Sequence, residues 1–263
     1  MGKKAAFFDI DGTLARFNGK ELIVPESTSF ALKEFRDKGN LAFICSGRPI
    51  RFIKEQFEEQ SFDGYIAGNG THIAFKGQPI YHRLIEADTI RYLIKAFDEL
   101  DISCCFSGVN EGYGYNMDRH RIEEFNAQFR EQNYINEQWK AEDIKVNTLD
   151  IFYSKEDNIK ACQEYFRDKL VFNTHGPHMS ADVSFVEWGK SHAIECLVKY
   201  LNIKIEDTLA FGDGYNDVEM LKTVNLGIAM GNGVEALKQV SDYVTTDMLE
   251  DGIYNAMKEY SLI

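Results

Sequence analysis

The chain has 263 residues, 44% apolar and 27% charged, with 29 basic against 42 acidic side chains and a formal net charge of −13. That is the make-up of an ordinary soluble globular protein, long enough for a full α/β core and a smaller second unit. The negative balance argues against nucleic acid or an anionic membrane as a main partner, and an anionic substrate would need a local positive site to draw it in.

The N-terminus lacks the long apolar core of a signal peptide and no apolar run approaches a membrane span, so the expected location is the cytoplasm. Five cysteines, an odd number with no C-x-x-C and with Cys104 beside Cys105, read as reduced and mostly buried thiols rather than a disulfide frame or a zinc site.

In chain order, Ala5-Ala6-Phe7-Phe8 is a short apolar run that predicts a buried strand of a parallel sheet. It leads into Asp9-Ile10-Asp11-Gly12-Thr13-Leu14. Alternate residues of a strand share a side, so Asp9 and Asp11 are expected to face one way at its C-terminal end, where open α/β sheets bind ligands. Two acids at ~4 Å repel by roughly 4 kcal/mol at an effective dielectric near 20, so they call for a cation or a shared proton. A plain Asp-Gly turn is the alternative.

Polar residues Ala15 to Lys20 and then Glu21 to Pro25 predict a small hairpin flap. Ser27 or Thr28 can cap a helix that turns Phe30, Ala31 and Phe35 inward and stops at Lys38-Gly39. Leu41 to Cys45 is a second buried strand, ending in Ser46-Gly47-Arg48-Pro49 before a helix with Phe52, Ile53 and Phe57. Strand, helix and strand at this spacing make a βαβ unit. Gly64 to Ala67 is a weaker strand, and Thr71 to His82 reads as a hairpin.

From Leu84 to Val183 the rhythm changes. Helical stretches (Ala87 to Leu100, Arg119 to Gln132, Glu156 to Asp168) alternate with strands at Ser103 to Ser107, Leu149 to Tyr153 and Leu170 to Asn173. The block predicts an α+β domain inserted into the first one. The parallel rhythm resumes near Phe185, with a helix from Lys190, a strand at Thr208 to Phe211 ending in Gly212-Asp213-Gly214-Tyr215-Asn216-Asp217, a strand over Val224 to Gly231 closing on a Gly turn, and a last helix from Leu249 to Tyr260.

Strand tips of one parallel sheet lie side by side, so Asp9, Asp11, Ser46, Gly47, Asp213, Asn216 and Asp217 are expected to converge, with Lys190 opening a nearby helix. Asp9, Asp11 and Asp213 offer hard oxygens suited to Mg²⁺, while Ser46, the Gly47 N–H, Asn216 and Lys190 are donors for phosphate oxygens. A carboxylate can attack phosphorus to give an aspartyl-phosphate, and its partner two residues on can serve as general acid and base. The set is that of a phosphoryl-transfer site.

Asp9-Ile10-Asp11-Gly12-Thr13, Ser46, Lys190 and Gly212-Asp213-Gly214-Tyr215-Asn216-Asp217 resemble the four motifs of the haloacid-dehalogenase-like superfamily. Their order and spacing resemble its Cof-like branch of phosphatases with a type IIB cap. The resemblance covers nearly the whole chain and implies a Rossmann-like parallel-sheet α/β core, residues 1–83 and 184–263, with the inserted α+β cap at 84–183. It implies Asp9 as nucleophile and metal ligand. Asp11 would be general acid/base, ligating the metal through its carbonyl. The Ile10 N–H, Ser46, Gly47, Lys190 and Asn216 would hold phosphate, Asp213 would be the remaining ligand of Mg²⁺, and Asp217 would support the metal shell or Lys190 from behind.

The expected activity is Mg²⁺-dependent hydrolysis of small phosphorylated metabolites, either sugar phosphates or cofactor-like phosphate monoesters. A phosphotransferase or phosphomutase with the same phospho-Asp chemistry, and a catalytically silent phosphate-binding protein, are the alternatives. No nucleic acid or membrane partner is expected, and the oligomeric state is not legible.

Other residues read more plainly. Arg48, Arg51 and Lys54 recur at helical spacing, as a solvated face or as a funnel for phosphate. His175 and His178 lie in a Gly-Pro loop as either substrate contacts or surface residues. Asn69, between two glycines, reads as a turn or as facing the site. Cys45 points away from the site into the sheet, and Phe106, Tyr113, Tyr115, Phe152 and Tyr153 read as lining a pocket or, for most of them, as the insert's own core.

Overall fold

Ala5–Phe8 forms β1, four apolar residues with both faces buried. The computed structural model that shows it describes residues 2–17, 22–58, 60, 62–129 and 133–263. Beyond β1, Arg16–Phe17 (β2) pairs antiparallel with Leu22–Ile23 (β3), giving the two ends of the expected flap, while residues 18–21 lie outside the described residues. The chain continues through α1 (Glu26–Asp37), β4 (Leu41–Cys45), α2 (Ile50–Gln56) and β5 (Gly64–Ala67) to the hairpin β6 (His72–Phe75) and β7 (Gln78–His82).

The insert follows as α3 (Ala87–Glu99), β8 (Ser103–Gly108), β9 (Gly112–Tyr115), α4 (Arg119–Asn126), β10 (Ile135–Asn136), β11 (Val146–Phe152), α5 (Glu156–Phe166), β12 (Leu170–Thr174) and β13 (Ser180–Phe185). The helix expected over Arg119 to Gln132 ends at Asn126, with residues 127–129 in a turn and 130–132 outside the described residues. The return to the core is α6 (Lys190–Tyr200), β14 (Thr208–Gly212), α7 (Val218–Thr223), β15 (Leu226–Ala229), α8 (Glu235–Lys238), β16 (Tyr243–Val244) and α9 (Gly252–Glu259).

The core sheet runs β16-β15-β14-β1-β4-β5-β6-β7, parallel from β16 to β5 with the β6–β7 hairpin antiparallel at one edge. Because β1 lies between β4 and β14, chain connections leave it toward opposite sides. The crevice at its C-terminal end is the place where such sheets bind ligands. Alternation along β1 sends Ala6 and Phe8 to one face, against α1 and α9, and Ala5 and Phe7 to the other, against α6 and α7.

The cap is a six-stranded sheet, β10-β9-β8-β11-β13-β12, paired to the core only through loops and side chains. Its outer face packs on α3 and α5 through Ile90, Phe97, Phe106, Leu149, Ile151, Cys162, Phe166 and Val183. β13 pairs with β11 and β12 as far as Phe185, so cap pairing extends beyond 183 and the core rhythm returns with α6.

The cap rests on α2. Phe52 meets Phe129 edge-on with ring centroids 6.3 Å apart, Arg51 donates to the Asn110 carbonyl at 2.6 Å, and Gln56 Nε2 donates to the Gln128 carbonyl at 3.1 Å. Both chain crossings lie against the residues Gly68 to Thr71, where Arg83 N–H donates to the Thr71 carbonyl at 2.8 Å and Trp188 Nε1 to the Gly70 carbonyl at 2.7 Å, and Asn147 of β11 donates through Nδ2 to Thr71 Oγ1 at 2.8 Å.

Two local expectations change. The first helix starts at Glu26 with Pro25 at its N-cap, and neither Ser27 nor Thr28 caps it; Thr28 is buried instead. Phe30 is 52% exposed and leans on the Tyr254 ring, while Ala31, Leu32 and Phe35 form the inward stripe. Among the described residues no helix is long and apolar enough to cross a membrane.

Candidate active site

β1 ends at Phe8, and the next seven residues fold back on themselves: Thr13 and Ala15 N–H donate to the Ile10 carbonyl, Leu14 N–H to the Asp9 carbonyl and Gly12 N–H to the Ala15 carbonyl. Gly12 is required here on two counts. Its φ is +85°, and a Cβ at that position would lie 2.2 Å from Asp213 Oδ2. The turn is pinned from the far side by Asn232, whose Nδ2 donates to the Gly12 carbonyl at 2.8 Å and whose Oδ1 accepts from Met248 N–H.

The loop separates the two acids. Asp9 is buried, and its Oδ1 accepts from Lys190 Nζ at 2.6 Å. Asp11 is about half exposed at 44% and turns outward, where Arg48 grips it by two bonds, Nε to Oδ2 and Nη2 to Oδ1, each 2.8 Å. Each of the two carboxylates therefore has a protein cation against it.

Lys190, the first residue of α6, is buried and its Nζ also donates to Asp217 Oδ1 at 2.6 Å. Asp217 is fully buried, and its Oδ2 accepts from the N–H groups of Asp213 and Gly214 at 3.0 Å each. Both its oxygens are thus committed to protein donors. Asp213 accepts from Thr13 Oγ1 at 2.9 Å.

Asp9, Asp213 and Asp217 each offer an oxygen within 4.8 Å of the others. Three carboxylates against one ammonium leave an excess of two negative charges, and the titration directions show the strain. Burial, then Asp217 and Asp213, push the Asp9 carboxyl up despite Lys190. Burial and Asp217 push Asp213 up to about 7. Burial works against the Lys190 charge, but Asp217 and Asp9 raise its value well above the usual, so it stays an ammonium.

The donor set of hard oxygens with a twofold charge deficit fits a divalent cation such as Mg²⁺. Both Asp217 oxygens are taken by protein donors, so Asp9 and Asp213 are the carboxylates left to hold it.

Ser46 is buried one residue past β4, and its Oγ accepts from Arg48 N–H at 3.2 Å. Gly47 lies where a Cβ would come within 2.5 Å of Asp182 Oδ2, a cap oxygen, so its lack of a side chain lets the cap approach. Asn216 is half-buried in the one-turn helix Tyr215–Asp217, with its Oδ1 close over Gly214. The side chain of Ile10 is fully buried, leaving its backbone at the turn.

The structure thus gathers Asp9, Asp213, Asp217 and Lys190 at one point and sets Asp11 beside them on Arg48.

The cap adds a second group. Its inner face is the one opposite Leu149, Ile151, Ala181 and Val183, so Asp150 and Asp182, direct partners across β11 and β13, point to the core. Asp182 Oδ2 accepts from Asn69 Nδ2 at 3.1 Å and its Oδ1 meets His175 Nε2 at 2.5 Å, while His175 Nδ1 contacts Ser180 Oγ at 2.9 Å. Burial would raise Asp182, but the bond and charge of His175 hold it below the usual carboxylate range. Burial works to lower His175, and Asp182 raises it beyond the ordinary imidazole value.

Burial and Asp182 push Asp150 up to about 7. Arg48 Nη1 also donates to Gln128 Oε1 of the cap at 2.5 Å and its guanidinium lies over the Phe52 ring, so one side chain ties Asp11 to the cap.

Arg48 is the residue that the periodic reading misplaced. α2 begins at Ile50, so Arg48 precedes the helix and does not share a face with Arg51 and Lys54. Its position two residues after Ser46 was the available signal. Asn69, at φ +51°, takes the site-facing alternative; His178 is exposed, with its carbonyl accepting from Arg121. Cys45 is core, as expected. Phe106, Tyr113 and Tyr153 are cap core, Tyr115 is partly buried against it, and Phe152 faces α4 and the core instead.

The profile of haloacid dehalogenase-like hydrolases matches residues 6–257. The chain belongs to that family. Over 263 residues and the full length of both chains it is 32% identical to the putative phosphatase YkrA of Bacillus subtilis. It is 26% identical to the 5-amino-6-(5-phospho-D-ribitylamino)uracil phosphatase YitU of Bacillus subtilis, over 96% of this chain and 95% of that one. Among solved structures, the subclass IIB sugar phosphatase BT4131 superposes with a TM-score of 0.86 at 29% identity, over 99% of this chain and all of the other. The haloacid dehalogenase-like, Cof-type assignment and the α/β core therefore stand, and the chain is an enzyme of this hydrolase family.

Proposed function

We propose that this enzyme is a Mg²⁺-dependent phosphatase that hydrolyses small phosphate monoesters, sugar phosphates or cofactor-like phosphates, through a phosphoryl group carried on Asp9. Phosphatase activity on small phosphorylated molecules follows from the family and from relatives of full length that bear that name. The observation that carries the finer reading is the contact of Lys190 Nζ with Asp9 at 2.6 Å, with Asp213 held by Thr13 in the same cluster.

In this reading the free Asp9 oxygen attacks phosphorus and the ester P–O bond breaks. The leaving oxygen takes the proton of the Asp11 carboxyl. Water then attacks the phosphorus, Asp11 takes its proton, and the bond to Asp9 breaks to release phosphate.

Lys190 orients Asp9 and, with the Ile10 and Gly47 N–H groups, Ser46 and Asn216, holds the phosphoryl oxygens. Asp217 fixes Lys190 and the Asp213 backbone from behind. Mg²⁺, held by Asp9, Asp213 and the Asp11 carbonyl, would neutralise charge on the transferring group.

Arg48 holds Asp11 as a carboxylate, below its usual range although burial pulls the other way, so proton donation requires that pair to open. Gln128 shares the same guanidinium, which ties the opening to the cap.

The test is a panel of phosphorylated metabolites assayed with and without Mg²⁺, together with mass analysis of enzyme quenched in acid during turnover. A phosphoryl adduct on the peptide that contains Asp9 supports the reading. Turnover with no adduct there, or transfer to an acceptor hydroxyl in place of water, would redirect it.

A further inference from the structure

The inner face of the cap carries an unbalanced charge. Asp11 is neutralised by Arg48 and Asp182 by His175, but the Asp150 carboxylate makes no direct hydrogen bond or ion pair among the described residues, and Arg48 and His175 act on it only from a distance. It stands directly across the β11–β13 pair from Asp182 and on the same face, which places it in the cleft about one inter-strand step, ~5 Å, from the carboxylate that reaches Gly47.

A second unanswered group is bonded to the same Asp182. Asn69 is 2% exposed and its Oδ1 has no hydrogen-bond partner. Its amide orientation is fixed, because Nδ2 donates to Asp182 and the reverse would set oxygen against oxygen. Its Oδ1 is buried 3.2 Å from where a Gly47 Cβ would be, beside the Asp182 oxygen that occupies that space.

We propose that the cap side of this cleft is an ammonium-binding subsite, so that preferred substrates are phosphate monoesters whose leaving group bears a primary amine. The inference rests on the phosphatase reading above. Asp150 and Asn69 Oδ1 are both acceptors, and an alkylammonium has three donors and no acceptor. It also supplies the one positive charge that the group of Asp11, Arg48, Asp182, His175 and Asp150 lacks. A neutral hydroxyl would satisfy a bond but leave the charge, and a carboxylate on the leaving group would be repelled.

The test is kcat/KM for matched esters that differ in an amine for a hydroxyl: glucosamine 6-phosphate against glucose 6-phosphate, and 4-aminobutyl against 4-hydroxybutyl phosphate. p-Nitrophenyl phosphate reports the chemistry alone. The expected result is a preference of about tenfold for the amine in at least one pair, falling to near parity in Asp150→Asn and in Asp150→Ser. Wild-type enzyme that turns over p-nitrophenyl phosphate but shows parity or a hydroxyl preference in both pairs overturns the subsite and spares the phosphatase reading. So does an amine preference that survives both substitutions. If no ester is hydrolysed, p-nitrophenyl phosphate included, the phosphatase reading fails and the subsite falls with it.

Discussion

The strand tips of the core and the inner face of the cap present carboxylates to the same cleft in very different company. At the tips, Lys190 holds Asp9 and Asp217, Thr13 holds Asp213 and Arg48 holds Asp11, and all of these partners belong to the core. On the cap, Asp182 depends on His175 of its own domain and on Asn69 of the core, and Asp150 has no direct partner among the described residues, with Arg48 and His175 acting on it only from a distance. The tips are organised before anything binds, which is what a common chemical step needs. The cap face is completed from outside, which is what discrimination among leaving groups needs. Substitutions at the tips should therefore lower turnover of every substrate, and substitutions on the cap should reorder substrates.

The largest effect is expected at Asp9. Asp9→Asn replaces the attacking oxygen by a poor nucleophile and a poor ligand, and turnover should fall by roughly 10⁴-fold or more on all esters, with no phosphoryl adduct detectable. Removal of divalent metal should come next: a chelator should stop hydrolysis of every ester, and excess Mg²⁺ should restore it. Recovery with no added metal would show that Lys190 alone balances the cluster.

Asp11→Asn is more selective. It should cost about 10²–10⁴-fold on alkyl esters, whose leaving oxygen needs a proton, and much less on p-nitrophenyl phosphate. Equal losses on both would remove Asp11 from acid catalysis and leave it as a partner of Arg48.

The same contrast explains what could be read from the chain. The tips were legible because a parallel sheet brings strand ends together whatever the loops do, so acids and a lysine after apolar runs were enough. The cap contacts were not, because Gln128, Asp150, His175 and Asp182 come from separate segments, and even Asp150 and Asp182 meet only through the register of β11 against β13. Arg48 fell into a false helical period, since a run of cations three apart does not reveal where the helix begins. Phe30 failed for a related reason: a broad apolar stripe has a flank, and the hydropathy of a residue does not say whether it is on the centre or the edge. Phe35→Ala should cost about 3–5 kcal/mol, whereas Phe30→Ala should cost under about 1 kcal/mol, read from denaturant midpoints.

The smallest effect, and the sharpest on the cap, concerns the pair of His175 and Asp182. The folded value of His175 lies above its usual one of about 6.5, so the stability it lends is fully present below about pH 6.5 and is lost as pH rises through the raised value. Asp182 is depressed in the fold, so its share is present above about pH 3.9 and is lost as pH falls through the lowered value. The window common to both is mildly acidic.

The difference in Tm between wild type and His175→Gln should accordingly be largest near pH 6, shrink toward pH 9, and weaken with added salt, since the ring is 42% exposed. Glutamine keeps a hydrogen bond to Asp182 and cannot take a charge, so a difference that stays constant across that range would mean the contact holds the cap by hydrogen bonding alone. The charge count on the inner face would then leave two carboxylates unanswered, and the pull on a cationic leaving group would be stronger.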